Sequence, residues 1–324
     1  MNLQLRPRTL VAALVLALAA AAAFSATGQQ RPADYRPPTF APTYATAGPR
    51  IAIDASHHEM HTLDGGYAAF VALAAADGFR VAPATLAADG RPIDADVLVV
   101  ANARAAGEAE DPLDTARSAF AANEVQSLAA WVDGGGSLLL VADHWPFGGY
   151  SRALASAFGV AMSGGYVNDS GQTEAGADEG VLRFTRTGDG LGEHWITAPL
   201  DSVRTFTGQA LGAPAGTCLL RFSPQARLDE VVSAVRGHMQ VRDAGSAAGM
   251  CQAVALRYGR GRVVVLGEAA MITAQISGDG VPFGMQLPGA DNEQFTLQVL
   301  RWLAGADACR RGGTGVAGCK EGVR

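Results

Sequence analysis

The chain has 324 residues, 48% hydrophobic and 17% charged, with a net charge of −6. That length accommodates one large domain or two small ones around a substantial core, and the composition excludes a disordered chain. No lysine- or arginine-rich run stands out, which argues against nucleic acid or an anionic membrane surface as a partner.

At the amino terminus, Arg6 and Arg8 precede an apolar stretch from Leu10 to Phe24 and then small residues. This is the pattern of a secretory leader, cleaved after Gly28 or after Ser25. The stretch falls short of the roughly 20 residues a spanning helix needs, so no stable membrane span is expected after cleavage. Losing the two leader arginines would make the net charge two units more negative. A periplasmic or secreted location is expected, and it makes Cys218, Cys251, Cys309 and Cys319 disulfide candidates. Of the possible pairings, Cys218–Cys251 would tie two predicted strands across an insertion, and Cys309–Cys319 would close the glycine-rich tail. None of the four lies next to a histidine or in a C-x-x-C arrangement, so a catalytic thiol is not expected.

Residues 29–49 are proline-rich and read as an extended linker. A single domain is expected over 50–305, with an insertion at about 223–249 read as partly helical and a cysteine-containing tail over 306–324. Predicted strands lie at 50–54, 79–82, 96–100 and 137–141, and a hairpin at 253–266 turns at Gly259-Arg-Gly261. Apolar spacing predicts helices at 63–76, 123–132, 151–158 and 292–303. The glycine-rich stretch 163–180 reads as a loop or lid, and 181–222 as short strands and turns. Short β-branched strands alternating with helices predict an α/β fold. Its core is a mainly parallel sheet flanked by helices, with a β-rich addition near the carboxyl terminus.

Four of these strands run out into polar residues. The first leads to His57, His58, Glu59 and His61, the third to Asn102, the fourth to Asp143 and His144, and the last to Glu268. In open parallel sheets, ligands bind in the crevice beyond the carboxyl ends of the strands. Four of the six histidines are therefore expected near one rim.

Particular phrases along this order resemble a known family. They are Asp54-Ala-Ser-His-His-Glu-Met-His61, Gly135-Gly-Ser-Leu-Leu-Leu-Val-Ala-Asp-His144, Thr205-Phe-Thr-Gly-Gln209 and Gly259-Arg-Gly-Arg-Val-Val-Val-Leu-Gly-Glu268. Together they resemble exported bacterial proteins with a class I glutamine amidotransferase-like domain, similar to domains of gliding-motility and intraflagellar-transport proteins and to trehalose-utilisation-like proteins. The resemblance covers about residues 50 to 305 and implies flavodoxin-like layering. Active amidotransferases carry a cysteine at the elbow after the fourth strand. Here the elbow is Ala142-Asp143-His144 and the first cysteine of the chain is Cys218, so glutamine hydrolysis through a thioester is excluded.

Three readings of the rim remain open. A divalent metal would be held by His57, His61 and His144: His57 and His61 are four apart and His58 and His61 three apart, so on a helical turn either pair could face one ion, with Asp143, His144 or Glu268 completing the shell. The run His58-Glu-Met-His61 is one residue short of H-E-x-x-H, so the zincin motif does not apply. In the metal-free reading His144 is a general base oriented by Asp143 or Glu268, His57 or His58 is the acid, and water is the nucleophile. Ser56, Thr62 and Ser151 are the candidate hydroxyls. Ligand contacts are expected from His58, Asn102, Gln209, Gln275 and Asn292, with Asn168 and Asp169, and core or pocket-wall packing from Trp145, Phe147 and Tyr150. The third reading is a non-catalytic interaction module of an envelope-associated system, whose strand-end polar groups only cap helices and satisfy loops. A small polar ligand or an envelope protein is the expected partner.

Overall fold

The computed structural model describes residues 35–44, 48–106, 117–173, 180–235, 238–276 and 280–309. The expected leader, the first residues of the expected linker and Cys319, with its expected pairing to Cys309, lie outside the described residues. Among the described residues no helix is long and apolar enough to cross a membrane.

The chain begins with β1 (Arg50–Ile53), α1 (Ala68–Ala76), β2 (Arg80–Pro83), β3 (Val97–Ala101), α2 (Ala122–Asp133), β4 (Ser137–Val141) and α3 (Phe147–Ala157). A β-rich stretch follows: β5 (Ala161–Met162), β6 (Tyr166–Asn168), β7 (Val181–Thr185), β8 (Ser202–Phe206), β9 (Leu211–Gly212), β10 (Thr217–Arg221), β11 (Arg227–Val235) and β12 (His238–Ser246). The chain then returns through β13 (Cys251–Tyr258) and β14 (Gly261–Leu266), a 3-10 turn at Ala270–Ile272, β15 (Ala274–Ile276), β16 (Pro282–Gly284), α4 (Asn292–Leu303) and α5 (Ala306–Cys309).

One nine-stranded sheet organises the molecule, in the order β2-β1-β3-β4-β14-β13-β9-β5, with β10 also paired to β13. From β2 to β14 every pairing is parallel. Beyond β14 the sheet continues antiparallel. The parallel part therefore has the doubly wound order 2-1-3-4-5, with β14 as its fifth strand. β3, β4 and β14 are buried along their whole length, because helices cover both faces. Alternate residues serve opposite faces. Ile51, Val99, Leu139 and Val264 pack with Phe70 and Leu73 of α1 and with Phe295 and Leu300 of α4. Ala52, Leu98, Leu140 and Val265 pack with Leu128 of α2 and Leu154 of α3.

Several expectations need correction. The first helix starts at Ala68 rather than at residue 63, because Gly65 and Tyr67 both donate backbone N–H groups to Thr62 O in a turn that precedes it. The third helix starts earlier than expected, at Phe147. The insertion has no helix among its described residues: β11 and β12 form an antiparallel hairpin, and β6 from the expected loop pairs with β11. Non-local pairing of Arg227–Val235 with both β12 and β6 outweighs its local helical spacing. The described part of the proline-rich linker is extended but not loose. Tyr35 and Tyr44 are buried, Tyr35 donates its hydroxyl to Glu293 at 2.7 Å, and Thr43 N–H bonds Asp77 at 2.8 Å.

Cys218 and Cys251 form a disulfide between β10 and β13, with Cα atoms 5.6 Å apart. The bond closes a 33-residue separation. Replacing both cysteines with alanine is expected to cost about 3–4 kcal/mol of unfolding free energy, measured by urea denaturation under non-reducing conditions. No difference between the variant and the parent would show that the bond does not constrain the unfolded chain.

Candidate functional site

The order 2-1-3-4-5 reverses direction between β1 and β3, and such folds hold ligands at that switch point. The loop leaving β1 supplies Asp54, His57 and Glu59, all buried. Asp54 extends the ladder through its N–H to Val99 O, and its carboxylate then folds the loop back, with Oδ1 accepting from Ser56 N–H at 3.0 Å. His57 Nδ1 lies 2.5 Å from Asp54 Oδ2, and both Glu59 carboxyl oxygens accept from His57 N–H at 3.2 Å. Phe120 packs on the imidazole, with ring centroids 4.4 Å apart. His57 Nε2 faces Glu124 Oε1 at 3.6 Å, while the other Glu124 oxygen caps α2 through Ala121 N–H.

The charges in this cluster are strongly coupled. Burial pushes the Glu59 carboxyl up, a hydrogen bond with Asp54 and the like charge of Asp54 push it further, and it reaches about 8. Burial also opposes ionisation of Asp54, but hydrogen bonds from His57 and Glu59 outweigh it and hold Asp54 below its usual value. On His57 burial is likewise outweighed, by Asp54 and then by the Glu59 and Glu124 charges, so its pKa rises. One atom from each of Asp54, His57 and Glu59 lies within 4.8 Å of the others, a spacing that suits a shared cation.

A second group sits beside the elbow after β4. Asp143 N–H donates to Asn102 Oδ1 at 2.9 Å, and Asn102 adopts a left-handed backbone, φ 55°, that brings its amide there. His144 Nδ1–H donates to Trp145 O at 2.9 Å and the ring stacks on Tyr166 at 4.2 Å. Its Nε2 is 3.8 Å from Asp143, beyond hydrogen-bond reach. The expected Asp143–His144 base is therefore not assembled, and the acid–histidine pair of this rim is Asp54–His57. Glu268 is fully enclosed and accepts from Ala270 and Met271 N–H at 2.6 and 2.7 Å, which caps the 3-10 turn. Burial, with the charge of Asp143, holds it well above the usual carboxylate range despite those bonds.

The expected metal set is divided. His57 belongs to the first cluster, whereas His61 lies flat on Tyr67 at 5.0 Å and His144 lies against Tyr166. Among the described residues, neither His61 nor His144 enters a three-ligand group. Several expected ligand contacts are already spent on the backbone. Gln209 bonds Ala142 O, Asp143 O and Gly164 N–H at 2.7, 2.9 and 2.9 Å, and Gly148 must lack a Cβ because one would meet the Gln209 amide at 2.5 Å. Asn292 ties Arg204 N–H and O to Met271 O. Gln275 lies on β15 and bonds Thr273 Oγ1 at 2.8 Å. His58 is exposed on the rim with φ 52°, and its carbonyl accepts from Arg104. Asp169 is buried and accepts from Ser223, and Asn168 bonds Asp229 at 2.7 Å. Trp145 and Phe147 are half-buried, and Tyr150 is in the core.

Asp54, Glu59, Glu124 and Tyr67 were not singled out from the sequence. Asp54 carried a readable signal, since it ends the first strand. Glu59 shares the inward parity of His57 and His61. Glu124 and Tyr67 fall inside the helices expected at 123–132 and 63–76, where nothing local marks a site.

No protein-family model and no curated protein matches the chain. Among solved structures, the mmIFT52 N-terminal domain aligns over 78% of this chain and 96% of that domain, at 14% identity and a TM-score of 0.54. A thua-like protein from Bacteroides uniformis ATCC 8492 aligns over 83% of this chain and 96% of that one, at 13% identity and a TM-score of 0.42. At such identities the likeness is one of fold, and the first alignment carries it.

Burial brings His61 down to about 4 from 6.5, against the attraction of Asp143. The unfolded chain therefore binds more protons than the fold between those values, and stability falls as pH drops from 6.5 to 4. The loss approaches about 3 kcal/mol. His61→Phe, which keeps the stacked ring, is expected to flatten that limb of a urea-denaturation series across pH. An unchanged slope would assign the acid limb to other groups.

Proposed function

We propose that this chain is an exported, amidotransferase-like binding domain that holds a divalent transition-metal ion between Asp54, His57 and Glu59. The observation that carries the reading is the approach of these three buried ligand atoms to within 4.8 Å of one another, at the switch point of the sheet. One imidazole and two carboxylates suit zinc, manganese or iron. A cation there would also relieve the crowding that keeps a proton on Glu59. When bound, such an ion lowers the pKa of a coordinated water or polarises a carbonyl, which is the chemistry of hydrolysis. An ion there would take the place of the proton between His57 Nδ1 and Asp54 Oδ2, with Phe120 packed on the imidazole and Glu124 left beside Nε2. Export is supported by the leader pattern and by the Cys218–Cys251 bond, since disulfides persist in oxidising compartments.

A second reading, a non-catalytic interaction module, is favoured by one observation. Asn102, Gln209, Glu268 and Asn292 spend their side chains on backbone groups, as structural residues do.

The test is metal content of residues 29–324, purified from the periplasm without a histidine tag. Near-stoichiometric metal is expected in the parent, lost in the Asp54→Asn/Glu59→Gln variant and kept in His61→Ala/His144→Ala. Loss in the second variant alone would move the site to the elbow. No metal after incubation with each ion would favour the interaction module.

A further inference from the structure

The two ring nitrogens of His57 face different neighbours. Nδ1 lies 2.5 Å from Asp54 Oδ2 and 3.7 Å from Glu59 Oε1, on the edge of the ring where the three ligand atoms gather. Nε2, on the opposite edge, lies 3.6 Å from Glu124 Oε1. We propose that Glu124 is the positioning carboxylate of the metal site: it accepts the Nε2–H of His57 and so reserves Nδ1 for the ion. This inference rests on the metal reading of Asp54, His57 and Glu59.

Glu124 also has a simpler role, as the third residue of α2, where an acid caps the helix. One oxygen performs it, Oε2 accepting from Ala121 N–H at 2.7 Å. The cap leaves Oε1 over, and that is the oxygen turned towards His57. Packing fixes the stem between them. Ala87 N–H bonds Arg91 O and Gly90 N–H bonds Ala87 O, both at 2.9 Å, in a turn that lies on Glu124. A Cβ at Gly90 would come within 2.8 Å of Glu124 Cγ. The carboxylate is thus oriented by α2 and by this turn, independently of the histidine it faces.

The chemistry of imidazole does the rest. A neutral ring has one nitrogen with a proton and one without, and only the second can take a metal. An ion on Nδ1 therefore leaves the ring proton on Nε2, next to Glu124. A carboxylate in that place fixes the ring and makes the ligating nitrogen more basic; losing such a partner costs about 10- to 100-fold in metal affinity. At 3.6 Å the contact is an approach and not a hydrogen bond, and a shift of about half an ångström on ion binding closes it. Glu124 is not itself a ligand, since the group of three ligand atoms within 4.8 Å does not include it.

The variant that isolates this role is Glu124→Gln. Its single acceptor oxygen is needed for Ala121 N–H, so its amide N–H groups are left facing Nε2. That favours a proton on Nδ1 and blocks the ion. Zinc affinity of tag-free residues 29–324, measured by competition with a chromophoric chelator, is expected to fall by about 10- to 100-fold in this variant. Its urea midpoint without zinc should match the parent, because the cap is kept. Long-range proton–nitrogen NMR of the zinc-loaded parent should show His57 bound through Nδ1 with its proton on Nε2. Equal zinc affinity in parent and variant, or ligation through Nε2, would overturn this inference alone. A parent that binds no zinc would overturn the metal reading and this inference with it.

Discussion

Burial of the parallel strands on both faces is the constraint from which the rest of this molecule follows. Val97–Ala101, Ser137–Val141 and Gly261–Leu266 have no solvent-facing side, so their polar continuations can emerge only at the strand ends. The reversal of strand order adds direction. The crossover after β1 carries α1 over one face, and that after β3 carries α2 over the other, so the two loops part between them. Asp54, His57 and Glu59 occupy one side of that parting and Asn102 the other. The position of the site is thus a property of the winding, and its chemistry is a property of the few residues that happen to follow each strand.

Those residues make a rim crowded with acids. Asp54, Glu59 and Glu268 are buried, and desolvation favours their neutral forms. The fold meets this in two ways. Backbone N–H groups serve Glu268, and a histidine serves Asp54, so that Asp54 ionises while Glu59 keeps its proton far above the usual range. Asp143 is the common neighbour in the second group, acting on His61, Tyr67, Tyr166 and Glu268 together. A rim with several carboxyls and neutral or shared protons is electrostatically suited to a cation beside His57.

The layout was legible in the sequence because burial writes a strong signal. Val97–Ala101 and residues 138–141 are unbroken apolar runs, and Asn292–Leu303 carries its helical stripe from end to end. The strand-end rule then located the rim without any motif. What could not be read was which polar side chains meet. His57 and His61 share a helical spacing, but the loop is held by Asp54 and by a bond from Met60 N–H to Asn102 O and never forms a helix, so their rings diverge. Glu124 reaches His57 from 67 positions away along the chain, and nothing local marks it. The strand character of Arg227–Val235 was masked because its partner Tyr166–Asn168 lies in a stretch that reads as glycine-rich loop. Pairing of that kind is non-local and leaves little trace in either segment alone.

The β-rich addition is tied to the rim rather than appended to it. Tyr166 of β6 supports the His144 ring from the small sheet, and Gln209, just before β9, grips the carbonyls of Ala142 and Asp143. The elbow is thereby closed as well as lacking a thiol. Ala142 N–H bonds Leu266 O, Asp143 N–H bonds Asn102, and His144 N–H bonds the Asp143 carboxylate at 2.7 Å. Acyl transfer at such a turn needs free N–H groups aimed at the developing oxyanion. Here each of those donors is already committed to a carbonyl, amide or carboxylate oxygen. The amides of the turn are thus committed by its own hydrogen bonding, and the same bonds hold Asp143 at the rim.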